Sequence, residues 1–282
     1  MKEGYALYYR GKKIDTFALA INQMLEFAGL PTADFIDCVG CRSFGYRFSG
    51  NVREWFRPAV TPEKAVLRIA EEFEIPFKCV KAKVVNREKE LQSGAVLGPL
   101  RQGIAVQGIQ EYYYMGEGVY LFVKEAEEGR YQIFDPRGFP GLLVSLEDLG
   151  RLIGGEECHM FFCEQAVRHM RVPDRQRIVK AGMELHERIA DKENLEAENA
   201  VSCLTGGLGE QLSYKYAVQN FLLQTDEIFR LISEENMLDA RTKRTYVQMK
   251  QKFYDISENG GMKELPVMLR EIWRLLKNGT GF

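Results

Sequence analysis

Histidine is scarce in this chain, and its absence from the first half excludes a common kind of chemistry. Only three histidines occur in 282 residues, and none precedes His159. A cysteine nucleophile usually depends on a nearby imidazole, which lowers the pKa of the thiol and carries its proton. A cysteine–histidine pair therefore cannot be assembled from the residues before His159.

Long apolar runs and blocks of like charge are also missing. No run approaches the ~18–20 apolar residues that span a bilayer, and the first residues, MKEGYALYYRGKK, lack the apolar stretch of a signal peptide. The formal net charge is −2, and no basic patch favours nucleic acid. We therefore expect a cytoplasmic globular protein that has neither a membrane nor a nucleic acid as its partner.

Cysteine is present but scattered along the chain. The six residues are Cys38, Cys41, Cys79, Cys158, Cys163 and Cys203. Two short spacings, between Cys38 and Cys41 and between Cys158 and Cys163, would supply four zinc thiolates, but the two pairs are far apart and no knuckle glycines accompany them. We expect reduced, buried thiols, with neither a metal nor another cofactor.

The hydrophobic pattern changes near residue 170. Before it, the sequence predicts strands at 81–85, 103–107, 118–123 and 130–134, the last two joined as a hairpin, and helices that open near Thr61 and Ser145. After Pro173, a period near 3.6 predicts helices at 175–192, 209–234, 239–257 and 262–278. The predicted fold class is α+β, with a mainly antiparallel sheet in a domain of residues 1–172 and an all-helical domain of residues 173–282.

Three segments of the predicted domain of residues 1–172 follow one another in an informative order. An apolar-faced helix, TFALAINQMLEFAG, runs from Thr16 to Gly29, and FIDCVGCRSFGYRF follows at 35–48. A later strand ends in Asp135 and Pro136. This order resembles the N-terminal domain of the butirosin-biosynthesis acyltransferase family, a papain-like relative of the peptidases that process bacteriocin leaders. The resemblance covers roughly residues 5–155 and implies a papain-like domain.

The same resemblance implies roles for individual positions, and most of them hold the wrong residue. The family's nucleophile lies thirteen residues before the glycine that ends the helix, which places it at Thr16. The glutamine that supports the oxyanion in leader peptidases falls on Arg10, and the histidine falls on Gly118 or Val119. Only Asp135 matches. A threonine hydroxyl without an imidazole stays protonated at neutral pH, so the resemblance implies a degraded triad.

Two replacements for the missing groups remain open at this level. Cys38 or Cys41 is an alternative nucleophile if either faces the same cleft, and the competing interpretation is that both are core cysteines. His159 or His169 is an alternative base, and the competing interpretation is a structural histidine. His186 lies between two glutamates of a predicted amphipathic helix, which favours a solvated surface position.

Candidate ligand-binding residues surround the expected cleft. Tyr112, Tyr113 and Tyr114 form an aromatic run just before the hairpin, and Gly118 lies at its opening. Tyrosine combines broad apolar contact with a polar tip, which suits a ligand of mixed character. Arg10 precedes the first helix, where an anion is favoured. The alternative is that the tyrosines fill the cleft.

These observations give a leading hypothesis and two alternatives. The leading hypothesis, implied by the resemblance, is a catalytically degraded acyltransferase-related protein that binds a small molecule or a carrier-bound acyl or peptidyl group in bacterial specialised-metabolite biosynthesis. The first alternative is an active acyl- or aminoacyl-transferase with a relocated nucleophile, or one that only positions its reactants. The second is a structural or interaction protein that forms homo-oligomers through its helical domain.

Overall fold

The computed structural model describes most of the chain in nine stretches. They are residues 16–30, 35–48, 56–99, 120–135, 139–153, 157–163, 170–203, 208–259 and 262–281. The chain divides into two compact units. The first comprises Met1–Ile36 and Val66–Val172, and the second comprises Asp37–Ala65 and Pro173–Phe282.

Helices and strands alternate in the first part of the chain, and long helices make up the last part. In chain order they are α1 (Thr16–Phe27), α2 (Ile36–Val39), β1 (Tyr46–Phe48), β2 (Phe56–Pro58), α3 (Pro62–Phe73), β3 (Phe77–Ala82), α4 (Glu88–Ser93), β4 (Ala95–Gly98), β5 (Leu121–Glu127), β6 (Arg130–Asp135), β7 (Phe139–Ser145), α5 (Leu146–Leu152), β8 (Cys158–Cys163), α6 (Arg175–Ser202), α7 (Leu208–Glu234), α8 (Ala240–Glu258) and α9 (Leu265–Thr280). Of the helices that the structure describes, none is long and apolar enough to cross a membrane.

The first unit contains a sheet of six described strands in the order β3-β8-β4-β5-β6-β7, and every neighbouring pair is antiparallel. The predicted α+β class with an antiparallel sheet is therefore confirmed. The predicted hairpin is β5–β6, and Ser145 caps α5 by accepting a hydrogen bond from the Asp148 amide at 3.1 Å. The predicted strand at 103–107 lies outside the described residues, and the one predicted at 81–85 overlaps β3 only at Lys81 and Ala82, because Val84–Asn86 forms a 3₁₀ turn. Strands β1, β2, β4 and β7 were not predicted.

The two faces of this sheet carry different side chains because a strand alternates its residues between faces. On one face, Phe122 and Phe134 contact Phe27 of α1, with ring centroids 4.8 and 4.7 Å away. The opposite face carries Leu121 and Ile133 in a second apolar cluster that includes α5. Every side chain of α1 from residue 16 to residue 25 is buried, so this helix is a core element of the first unit.

The second unit combines α6–α9 with the segment 37–65, which the sequence analysis had assigned to the domain of residues 1–172. The compact units therefore differ from the predicted domains at this segment, which contacts α6. The amide of Tyr46 donates to Oε1 of Glu193 at 2.9 Å, and Arg47 forms an ion pair with Glu196 at 2.5 Å. Two buried or half-buried acids of one helix thus hold the β1 strand, a long-range pairing that local sequence patterns do not reveal.

The four helices after Pro173 are confirmed, with one difference in extent. Helix α6 continues to Ser202, ten residues beyond the predicted end at Lys192. The extra turns bury Glu193, Ala197 and Ala200 instead of large apolar residues. Hydrophobic periodicity weakens there, which is why the prediction stopped early.

Candidate functional site

Thr16 begins α1 and is committed to a hydrogen bond in the first unit. Its side chain is buried, at 5% exposure, and its Oγ1 accepts a hydrogen bond from the backbone amide of Tyr120 at 2.8 Å. Tyr120 immediately precedes β5. One hydroxyl therefore joins the start of a helix to the start of a strand 104 residues away.

Asp135 ends the strand that runs beside β5. Phe122 of β5 pairs with Phe134 of β6, so Leu121 and Asp135 are the next neighbours in this antiparallel register. The backbone of Asp135 consequently lies at the same end of the sheet as Tyr120. Two positions that the sequence analysis assigned to the degraded triad, 16 and 135, are thus brought to one end of the sheet.

His159 of β8 lies at this end of the sheet as well. It pairs with Gly98 of β4, and the β4 residue before Gly98 pairs with the β5 residue after Tyr120. Two strand spacings of about 4.8 Å place the backbones of His159 and Tyr120 about 10 Å apart. His159 shares its face of the sheet with Phe161, whose ring centroid is 5.4 Å from that of Phe17 in α1. His159 therefore lies on the α1 face, at the end where α1 begins.

The surroundings of Thr16 determine what its hydroxyl can do. The ring of Phe17 meets those of Tyr120 and Phe161 edge to face, with centroids 5.3 and 5.4 Å away. Tyr120 is itself buried, at 6% exposure. Accepting an amide hydrogen bond uses a lone pair of the oxygen that would attack a substrate, so this environment favours a structural role for Thr16.

All five predicted ligand-binding residues fall on segments that the structure does not describe. Arg10, Tyr112, Tyr113, Tyr114 and Gly118 lie outside the described residues, as do Val119 and His169. The expected cleft, its aromatic wall and its anion-binding arginine therefore stay predictions from the sequence.

Cys38 and Cys41 belong to the second unit and are fully buried there, each at 0% exposure. The amide of Cys41 donates to the carbonyl of Cys38 at 2.9 Å, and Cys41 adopts a left-handed conformation with φ 57° before the 3₁₀ turn Arg42–Phe44. Neither thiol reaches the surface, so a substrate cannot approach it in this conformation. Burial favours the core interpretation over the relocated nucleophile.

Cys158 and Cys163, at the two ends of β8, are the other closely spaced pair. Burial raises the pKa of each thiol to about 11, so both remain protonated at neutral pH. Among the described residues, no group of three histidine, cysteine or acidic side chains is arranged to hold a metal ion.

His186 contradicts its predicted surface position. Its side chain is only 12% exposed, and its ring stacks on that of Trp273 of α9, with centroids 4.0 Å apart and planes 23° apart. Burial lowers the pKa of the imidazole to about 4, so His186 is neutral at physiological pH. The two glutamates beside it in the sequence suggested a solvated face. However, residues three and four apart share a helix face, and His186 is in phase with the buried Met183.

Glu193, which the sequence analysis did not single out, is a deeply buried acid of this unit. Its side chain is 1% exposed; Oε1 accepts from the Tyr46 amide, and Oε2 lies 3.5 Å from Nδ1 of His186. Burial raises the pKa of Glu193 to about 8. The sequence did contain a signal for the burial of Glu193. This residue lies three residues after Ala190 and four before Ala197, in phase with the inner face of α6.

Comparison of the chain with protein-family models and with well-characterised proteins gives no match. The functional argument therefore depends on the geometry around Thr16 in the first unit and around His186 and Glu193 in the second.

Proposed function

We propose that the first unit is a papain-like, acyltransferase-related scaffold in which the nucleophile position has become structural. The protein would bind a small molecule or a carrier-bound acyl or peptidyl group, in bacterial specialised-metabolite biosynthesis, without forming a covalent bond to it. One observation carries the proposal. Oγ1 of Thr16, at the position where the nucleophile is expected, accepts the Tyr120 amide at 2.8 Å.

The layout of the unit supports the choice of scaffold. A buried helix begins beside the opening of one strand, and the neighbouring antiparallel strand ends in Asp135 at the same end of the sheet. In the family that the chain resembles, these three places hold the nucleophile, the histidine and the acid. This arrangement of the described segments supports the resemblance, although two of the three residues differ in sequence.

The chemistry of the residues supports binding without covalent catalysis. A threonine hydroxyl becomes a good nucleophile only when an adjacent base removes its proton. Position 118 or 119, where the family's histidine falls, holds glycine or valine. Members of a catalytic unit act together, so the loss of two of them removes most of the rate.

Acyl thioesters of N-acetylcysteamine test this proposal directly. The full-length protein is incubated with an acetyl and a longer acyl thioester, thiol release is followed by absorbance, and the intact mass of the protein is measured. We expect thiol release at the rate of buffer alone and an unchanged protein mass. An acyl group mapped to Thr16, Cys38 or Cys41 would overturn the proposal.

A second candidate function follows from the position of His159. Its place on the α1 face, at the end of the sheet where Thr16 and Asp135 lie, favours a transferase that uses His159 as a base. His159 would take the proton of an acceptor amine while that amine attacks the thioester carbonyl, and would return it to the sulfur as the C–S bond breaks and the thiol leaves. Thioester consumption that requires an added amine, persists in Thr16→Ser and disappears in His159→Gln would establish this function instead.

A further inference from the structure

A pocket of about 460 Å³ opens between α6 and α9 in the second unit. Its volume falls within the ~300–1,000 Å³ that is usual for small-molecule sites. The lining residues are Met183, His186, Glu187, Ala190 and Asn194 of α6, with Arg270, Trp273, Arg274 and Lys277 of α9. On each helix these residues recur at spacings of three and four, with one adjacent pair, so each helix contributes a single face.

Two ion pairs hold the helices on either side of this opening. Arg270 pairs with Glu198 at 2.7 Å, and Lys277 pairs with Glu187. Because residue 187 meets 277 and residue 198 meets 270, the two helices run antiparallel. The pocket lies along the seam between the two pairs, and the pairs fix its ends.

The floor of the pocket is flat and apolar. The ring of Trp273 is 4% exposed and stacks on His186, and Met183 lies one turn before His186. Ala190 lies on the same face of α6, one turn after His186. Its side chain is short, so a larger residue at this position would extend into the pocket.

The walls of the pocket carry mostly positive charge. Three cations, Arg270, Arg274 and Lys277, line it against one carboxylate, that of Glu187. Arg270 and Lys277 are already paired with acids, whereas Arg274 is exposed and has no acidic partner among the described residues. An anion that enters the pocket therefore finds a guanidinium able to bind it with two parallel hydrogen bonds.

Three buried polar atoms of the lining residues have no hydrogen-bond partner among the described residues. They are Nδ1 of His186, which lies 3.5 Å from Oε2 of Glu193, the indole Nε1 of Trp273 and Oδ1 of Asn194. Buried tryptophan N–H groups usually donate a hydrogen bond, and unsatisfied buried groups are few in native proteins. A ligand oxygen would accept from the indole N–H of Trp273, and a ligand hydroxyl group or a water would donate to Oδ1 of Asn194.

From this combination we propose that the pocket binds a small organic anion with a flat aromatic body. The ring lies against Trp273 and His186, and the carboxylate or phosphate is held by Arg274 with Arg270 and Lys277 nearby. The proposal concerns the helical unit alone and does not rest on the function proposed for the first unit. The thioester experiment and the binding experiment on this pocket can therefore fail independently of each other.

Phenyl phosphate is a suitable probe because it joins a flat ring to an anion of the right size. Inorganic phosphate carries only the anion, and phenol carries only the ring. The chain has two tryptophans, Trp55 and Trp273, so ¹⁵N-labelled full-length protein gives two indole N–H signals that Trp55→Phe assigns. Titration with each compound then reports binding at Trp273.

We expect phenyl phosphate to shift the Trp273 signal saturably, with binding about tenfold tighter than that of either fragment. Arg274→Ala should weaken it about tenfold, because a charge-assisted hydrogen bond is lost, and Ala190→Leu should abolish it by filling the cavity. Arg188→Ala is the matched control, since it removes an exposed arginine of α6 that does not line the pocket, and it should leave the affinity unchanged.

Three titration results would overturn the proposal, and so would one result with Ala190→Leu. The three are no saturable shift up to about 10 mM phenyl phosphate, equal affinity for phenyl phosphate and inorganic phosphate, and equal loss of affinity in Arg274→Ala and Arg188→Ala. The thermal midpoint of each variant, compared with that of the wild-type protein, shows that the variant is folded. Binding that persists unchanged in folded Ala190→Leu would place the probe elsewhere and contradict the assignment.

Discussion

Oε2 of Glu193 lies 3.5 Å from Nδ1 of His186 in the second unit, and both side chains are almost fully buried. The other oxygen of Glu193 accepts the Tyr46 amide at 2.9 Å. Burial moves the two pKa values in opposite directions, that of Glu193 up to about 8 and that of His186 down to about 4. At neutral pH the contact therefore joins a protonated carboxyl group and a neutral imidazole.

The first prediction concerns the pH dependence of stability. The folded-state pKa of Glu193 exceeds its ordinary value of 4.5, so its contribution is complete below about pH 4.5 and is lost as the pH rises through about 8. His186 acts in the opposite direction only below its ordinary pKa of 6.5. Between pH 6.5 and pH 8, the free energy of unfolding should fall by up to about 1.4 kcal/mol per pH unit. Urea unfolding across this window measures it.

Glu193→Gln should flatten this dependence, because an amide keeps the acceptor for Tyr46 and does not titrate. Glu187→Gln is the control. Glu187 is exposed, and its pKa is lowered by its hydrogen bond with Lys277, so it stays ionised throughout the window and its removal should leave the slope unchanged. A wild-type stability that is constant from pH 6.5 to pH 8 would show that Glu193 is already ionised in the folded protein.

The second prediction tests the close packing of α6 against the segment 37–65. A Cβ atom added at Gly182 would overlap the ring of Phe44, which is fully buried. Gly182→Ala should lower the free energy of unfolding by about 1–3 kcal/mol, as overpacking does, despite the better helix propensity of alanine.

The matched control is another helical glycine that has room for a methyl group. A Cβ at Gly150 of α5 would meet only Val85, at 3.8 Å. Gly150→Ala should therefore raise the free energy of unfolding by about 0.5–1 kcal/mol. Equal effects of the two substitutions in chemical denaturation would mean that Phe44 does not pack on Gly182.

The regular parts of this fold were readable from the sequence, because they depend on local patterns. The period of the apolar residues predicted α7, α8 and α9, and Ser145 was recognisable as the start of α5. The site was less readable. Nothing local indicates that Tyr46 meets Glu193, since 147 residues separate them. His186 was assigned to the surface from its neighbours in sequence, although the residues that bury it lie one turn away or on another helix.

The third prediction concerns thiol reactivity. Cys38 and Cys41 are fully buried, whereas Cys203 is exposed and serves as an internal control. Iodoacetamide should label the exposed Cys203 in the folded protein, and Cys38 and Cys41 should react only after urea is added. Peptide mapping after timed quenching measures all three sites. Rapid, stoichiometric labelling of Cys38 or Cys41 at mildly acidic pH would revive the relocated nucleophile.

The account as a whole depends on Thr16 serving as a hydrogen-bond acceptor and not as a nucleophile. Thr16→Val keeps the shape of the side chain but leaves the Tyr120 amide without its acceptor, at a cost of about 1–3 kcal/mol. Thr16→Ser keeps the hydroxyl and provides the matched comparison.

The most direct measurement is hydrogen exchange of the Tyr120 amide in these two variants and in the wild-type protein. Protection should be similar in the wild-type protein and in Thr16→Ser, and about tenfold or more lower in Thr16→Val, because the lost hydrogen bond eases local opening. Equal protection of Tyr120 in all three proteins would contradict the account, since the hydroxyl of Thr16 would then not be committed to the strand and would be available for chemistry.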